Sequence, residues 1–335
     1  MSDDGTNPVG AGRGARWLRI AGGCALAALA SALVWAAWPR AKPAELGESF
    51  RYDLASLKRV DPARIIGREL TPIAIPVDSP TALAVDSSNR LYAGGASAIA
   101  VMDPDGRPLR QWRVEEPVTC LAAGAEGDLY VGHRGRIVVL APDGSTRAAW
   151  AVPGSNAVLT SVAVTGEDVF AADAGQRLVW RFNRDGRLLG RIGARDKEGG
   201  FPGFVVPSPY FDLALGPGGD LWVVDPGRHK LIQFSPAGEA MSSWQRDGMD
   251  VEGFSGCCNP THIALRADGS FVTSEKGLVR IKIHAPTGDL EGVLAGPDRF
   301  AEETRGLDLA VDGAGRILAL DPEKAVILVF EMEGG

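Results

Sequence analysis

The feature that most constrains this 335-residue chain is a segment that recurs six times. Each copy opens on a short apolar run: Thr81-Ala82-Leu83-Ala84-Val85, Thr119-Cys120-Leu121-Ala122-Ala123, Thr160-Ser161-Val162-Ala163-Val164, Phe211-Asp212-Leu213-Ala214-Leu215, Thr261-His262-Ile263-Ala264-Leu265 and Leu307-Asp308-Leu309-Ala310-Val311. Successive runs start 38, 41, 51, 50 and 46 residues apart, the length of four strands with their loops. A turn recurs behind them as Asp103-Pro104-Asp105-Gly106, Ala141-Pro142-Asp143-Gly144, Asn183-Arg184-Asp185-Gly186, Ser235-Pro236-Ala237-Gly238 and Ala285-Pro286-Thr287-Gly288. Glycine supplies the positive φ of a tight hairpin and proline presets its entry. The expected fold is all-β: a six-bladed β-propeller over residues 67–335.

The last copy, Leu307 to Phe330, has room for only three strands. The fourth is expected from Arg68 to Val77, at the other end of the domain, so that closure removes the two sheet edges an open ring would expose. Trp112, Trp150 and Trp244 follow the turns on the expected outer strands, where large rings fill the wedge between splayed blades.

The stretch Arg191 to Phe234 carries Gly193, Gly199-Gly200-Phe201, Pro209, Leu213-Ala214-Leu215, Gly219-Asp220-Leu221-Trp222-Val223-Val224-Asp225 and Arg228-His229-Lys230-Leu231-Ile232-Gln233-Phe234. It resembles an NHL repeat. Ala172-Asp173 and Leu320-Asp321 match the same pattern more loosely, and the second and fifth copies lack its Asp. The resemblance covers residues 68 to 333 and implies a propeller with a ligand-binding face, which NHL-like domains use for proteins, peptides or glycans. Fold alone assigns no activity. His229 occupies the motif's own histidine position and reads as structural. Related six-bladed folds include a zinc-dependent amidating lyase and gluconolactonase-type hydrolases. This chain shows the full ligand set of neither.

In a propeller the innermost strand starts at one mouth of the central channel. The alignment therefore nominates a ring of Ala82, Cys120, Ser161, Asp212, His262 and Asp308. Cys120, Asp212, His262 and Asp308 are metal-ligand types. The alternative is that ring residues bond backbone groups and water around the channel. The most unusual string, Gly253-Phe254-Ser255-Gly256-Cys257-Cys258-Asn259-Pro260-Thr261-His262, enters the fifth copy on the same mouth. Similar Gly-Cys-Cys-Asn-Pro strings occur in exported bacterial NHL-like propellers. Cys257 and Cys258 suit a vicinal disulfide, a redox dithiol, or soft Cu or Zn ligands with His262, Cys120, Asp212 and Asp308. A structural disulfide from Cys120 to either is the further alternative. His133 sits where a second strand ends and is expected in a surface turn, with a place facing the mouth as the alternative, and His284 is expected within a strand.

Arg13, Arg16 and Arg19 precede Ile20 to Trp38, an uncharged run whose nineteen residues span ~28 Å as a helix. It is expected to be a transmembrane signal-anchor, with residues 1–19 cytoplasmic, 39–66 a linker and the propeller periplasmic or extracellular. A cleaved signal peptide is the alternative, though its apolar region is normally ~7–15 residues. Cys24 reads as lipid-buried filler. A net charge of −7 argues against nucleic acid as a partner. There is no Ser-His-Asp order, phosphate-binding glycine loop or Cys-x-x-Cys motif. Two functions follow: a tethered binding or scaffold module with a protein, peptide or small ligand at the channel mouth, or a metal- or thiol-dependent lyase, hydrolase or redox protein.

Overall fold

The computed structural model describes residues 29–33, 35, 54–196, 198 and 200–332. Of the expected membrane span, residues 29–33 and 35 are helical, and the rest lies outside the described residues, as do 1–19 and 39–53. Among the described residues no helix is long and apolar enough to cross a membrane.

The repeat folds into six antiparallel sheets, each built from strands in hairpin order. Their innermost strands are Ala82–Val85, Cys120–Ala123, Leu159–Val164, Leu213–Leu215, His262–Leu265 and Asp308–Val311. Each neighbours the next, and the last neighbours the first, so the ring is closed. The chain is a six-bladed β-propeller. Second strands such as Leu91–Gly94, Asp168–Asp173 and Ile317–Asp321 are buried throughout because a neighbouring blade covers each face. Outer strands such as Pro108–Arg113 and Thr146–Ala151 alternate or face solvent.

The sixth blade takes its outer strand from the other end of the domain. Gly67–Glu69 pairs antiparallel with Met332 to Phe330, and Ile73–Ala74 pairs with Ile327 and Val326. Between these two pieces the Leu70 amide still donates to the Val329 carbonyl at 2.8 Å. Pro72 lacks an amide, and the pairing is interrupted there. The residues just before the seam, assigned by sequence to the linker, lie along the propeller. They form a short helix at Leu54–Leu57 and a 3-10 turn at Pro62–Arg64, and Ile65 bridges Val293.

The tryptophans show how blades meet. The Trp112 ring of the first blade lies on Gly144 in the turn of the second. Trp150 lies on Gly186 of the third, and Trp244 on Gly288 of the fifth. Ile192 on Gly238 and Ile73 on Gly106 continue the series, the latter across the seam. A methyl group at Gly144 would sit 2.5 Å from the Trp112 ring, at a φ of +89°. The glycine thus serves the turn and the blade junction together. Gly144→Ala is expected to cost about 2–4 kcal/mol, from left-handed strain plus overpacking. Gly315→Ala, at φ +80° with open space beside it, is expected to show only the strain, about 1–2 kcal/mol. Urea denaturation of the two variants measures the difference.

Candidate functional site at the channel mouth

Each blade's second strand ends at the mouth, and in blades two to five a residue at that end pins the chain entering the blade. Asp173 Oδ1 accepts from the Val158 amide at 2.9 Å, and Asp225 Oδ1 from Val205 at 2.8 Å. In the fifth blade Glu275 Oε2 accepts from Ser255 at 3.2 Å. In the second, His133 Nδ1 bonds the Pro117 carbonyl at 3.0 Å. Blades two and five therefore fill the role of the motif's Asp with other side chains. His133 is buried at the end of its strand, not in the surface turn expected, because its ring carries that bond inward.

The ring residues work mainly across blade junctions. Asp308 Oδ2 accepts from the Leu83 amide at 2.7 Å, joining blades six and one. Asp212 Oδ2 accepts from Ile263 at 2.7 Å, joining four and five. Ser161 Oγ donates to the Leu213 carbonyl at 3.3 Å, joining three and four. Thr81 Oγ1 donates to Val118 at 2.6 Å and Ser274 Oγ to Leu307 at 2.8 Å, which fasten two more junctions. Ala82 is fully buried. Cys120 Sγ occupies the space over Gly132.

Burial controls the charge of this ring. It raises Asp212 to about 6. Burial, then the charge of Asp212, pushes Asp308 up to about 8. It lifts the Cys120 thiol to about 12 and lowers His262 to about 4. His262 Nδ1 is buried without a hydrogen-bond partner, and the ring meets the edge of Tyr210 with centroids 6.1 Å apart. The structure brings Cys120, Asp212 and Asp308 within electrostatic reach of one another. Among the described residues, no group of three or more His, Cys, Asp or Glu side chains is arranged to hold a metal.

The loop bearing the paired cysteines is held by a buried charge cluster that the sequence patterns do not flag. Glu275 takes Arg280 Nε at 3.0 Å and Nη2 at 2.8 Å, and its Oε1 lies 2.9 Å from Lys282 Nζ. All three side chains are at most 1% exposed. The two cations turn their remaining donors on the loop: Arg280 to the Asp250 carbonyl at 2.8 Å, Lys282 to Val251 at 3.1 Å and Gly253 at 2.8 Å. Asn259 then bonds Ser255 and both main-chain groups of Lys276. His229 Nε2 reaches the Gly256 carbonyl at 2.7 Å, which gives the motif histidine a loop-holding role.

On this frame Cys257 is exposed and Cys258 buried, and their sulfurs are 3.2 Å apart. Both are free thiols, as is Cys120. Lys276 Nζ donates to Ser208 Oγ at 3.0 Å and stands 4.8 Å over the Tyr210 ring. Ser208 and Lys276 both address the Cys258 sulfur. Tyr210 thus connects the cysteine loop to His262. None of Ser208, Tyr210 and Lys276 has a sequence signal, since the three meet only when blades four and five close on each other.

Two cavities flank this group. One, of 410 Å³, is walled by residues from all six blades, among them Thr81, Val118, Leu159, Tyr210, His262 and Arg305. The other, of 500 Å³, runs from Gly256 and Lys276 past Met249, Leu278 and Phe300 to Lys58.

No protein-family model and no curated protein sequence matches the chain. Solved structures do. A streptogramin B lyase superposes with a TM-score of 0.58 at 14% identity, over 82% of this chain and 100% of the lyase. Virginiamycin B lyase from Staphylococcus aureus gives 0.51 at 14%, over 78% and 88%. A catalytically inactive variant of it with quinupristin gives 0.50 at 14%, over 78% and 87%. At that identity the likeness shows the shared propeller alone.

Two outcomes follow. Glu275→Ala leaves Arg280 and Lys282 buried without their carboxylate and is expected to cost about 3–5 kcal/mol in denaturant unfolding. The ring carboxyls bind protons in the folded chain that the unfolded chain has released, so they make stability fall as pH rises from their ordinary 3.8 toward 8. His262 acts oppositely, but only between about 4 and 6.5. Stability is therefore expected to decline between about pH 6.5 and 8, and Asp308→Asn to flatten that decline, measured as unfolding free energy against pH.

Proposed function

We propose that this chain is a membrane-tethered, extracytoplasmic binding propeller of the NHL type. It holds a protein, peptide or small ligand at its channel mouth beside the cysteine loop. The observation that carries the reading is the 410 Å³ cavity to which every blade contributes, a size typical of ligand sites. Its walls are apolar at Pro117, Val118, Val158, Leu159, Pro209 and Pro322, with the hydroxyls of Thr81, Thr119 and Thr160 between them. Arg305 supplies the one formal charge, since burial keeps His262 neutral. Such a site fits an apolar body with a carboxylate or similar anionic group. The run Ile20 to Trp38 supplies the anchor, and the arginines before it favour export of the propeller.

A second reading rests on the cysteine pair. Two sulfurs 3.2 Å apart beside an ammonium suit thiol chemistry or a soft metal such as Cu or Zn. It would make the chain a redox protein or a metal-dependent lyase or hydrolase. The lyase activity of the structural neighbours is compatible with this reading and is not evidence for it at 14% identity.

The test of the first reading is calorimetric titration of the full chain in detergent with hydrophobic dipeptides and their C-terminal amides. Free carboxylates are expected to bind and amides to bind more weakly. Arg305→Ala is expected to weaken carboxylate binding about 10-fold or more, the loss of one charge-assisted hydrogen bond. Equal binding of acids and amides, unaffected by Arg305→Ala, would reject the site. Metal analysis of the same protein tests the metal form of the second reading.

A further inference from the structure

The two cysteines are adjacent in sequence but unequal in surroundings. Cys257 Sγ faces solvent, at the end of the loop whose Gly256 borders the 500 Å³ cavity. Cys258 is 1% exposed and lies against the Ser208 hydroxyl and the Lys276 ammonium. That ammonium is fixed from two sides, by Ser208 Oγ at 3.0 Å and by the Tyr210 ring. Asn259 fastens the backbone of Lys276 to the loop itself. The cation bonds the Cys258 sulfur directly and reaches Cys257 only through space, which assigns the pair different chemical roles.

We propose that Cys257 and Cys258 form a reversible dithiol–disulfide couple that exchanges with external thiols and disulfides. Cys257 presents the sulfur that is attacked, and Cys258 departs as a thiolate held by Ser208 and Lys276. This rests on the second, thiol-based reading above and is independent of ligand binding in the six-blade cavity. The sulfurs stand 3.2 Å apart and close by approaching to about 2.05 Å.

The exchange balances as follows. An external thiolate attacks Cys257 Sγ of the vicinal disulfide. The Cys257–Cys258 sulfur bond breaks, and its electron pair leaves with Cys258. A second external thiolate attacks the external sulfur of the mixed disulfide and expels Cys257. Two external thiols lose two electrons and two protons and become one disulfide, and the cysteine pair gains both. In the opposite direction an external disulfide is the oxidant. Burial alone would raise the Cys258 thiol, but Ser208, Cys257 and Lys276 together hold it below the ordinary thiol value. The Cys258 sulfur in turn raises Cys257. A lower-pKa sulfur is the better leaving group, and stabilising the reduced form makes the disulfide more oxidising.

The experiment equilibrates the full chain in detergent with reduced and oxidised glutathione at graded ratios, then alkylates and measures each cysteine by mass spectrometry. Cys257 and Cys258 are expected to oxidise together as one two-electron couple, with Cys120 remaining a thiol. Lys276→Met is expected to shift the equilibrium roughly tenfold toward the disulfide, about 30 mV. Lys276→Arg, which keeps the charge, is expected to restore the wild-type midpoint. Cys258→Ser is expected to trap glutathione on Cys257, whereas Cys257→Ser leaves Cys258 unmodified. A pair that stays reduced throughout would overturn the proposal. So would equal shifts in Lys276→Met and Lys276→Arg, or glutathione trapped on Cys258 in preference to Cys257.

Discussion

Ring closure is the constraint on which the remaining structure depends. A blade is a small sheet with two apolar faces, and it is stable only between two neighbours. A linear array of five and three-quarter blades would leave two such faces and two strand edges in water. Pairing residues 67–74 with 326–332 removes both exposures at once. The packing rule of the other junctions carries through the seam, where Ile73 lies on Gly106 as Trp112 lies on Gly144. Only a closed ring has a channel mouth, so the position of every candidate functional residue follows from this pairing.

Closure leaves little freedom at the channel wall. The inner strands use their first side chains to bond the next blade, as Asp308 does to Leu83 and Asp212 to Ile263. Side chains employed this way are poor candidates for binding a ligand, and burial raises both carboxyls. Variation is cheaper in the entry loops, which lie outside the strand ladders. In the fifth blade the entry loop is long and carries the paired cysteines. It is also the loop under which a carboxylate and two cations are fully buried. A hydrophobic cluster of the same volume would stabilise at least as well. What the charges add is direction, because their donors fix the carbonyls of Asp250, Val251 and Gly253 individually. The cluster defines the path of the chain up to Gly256, and hence where the sulfurs stand.

Much of the fold was legible in the sequence, because it depends on periodicity and turns. The Leu-Ala-Val runs mark the inner strands, the Asp-Gly turns the outer hairpins, and the shortfall after Leu307 the seam. The ring of equivalent positions was legible too, since equal places in a repeat occupy equal places in space. Less of the site was. Glu275 and His133 replace an Asp by reach, so a search for that Asp passes over them. Ser208 and Lys276 are 68 residues apart and belong to different blades. Their meeting depends on blade geometry, which no local pattern encodes. The six candidate ligands illustrate the converse. Sequence placed them on one mouth, but side-chain direction separates Cys120, packed over Gly132, from Cys257, which faces solvent.

The distance between fold and function in this chain has the same origin. A propeller needs small residues at turns, aliphatic residues on strands and one bulky side chain per junction, and many sequences meet those needs. That is why structures at 14% identity superpose over most of their length. The residues left over from these needs lie on loops at the mouth: Tyr210, Cys257, Cys258 and Arg305 on entry loops, and Lys276 between the second and third strands of the fifth blade. No strand or turn requires them. Tyr210 joins them physically, with one face toward the Lys276 ammonium and an edge toward His262. Cysteine loop and mouth cavity therefore share a wall at Tyr210.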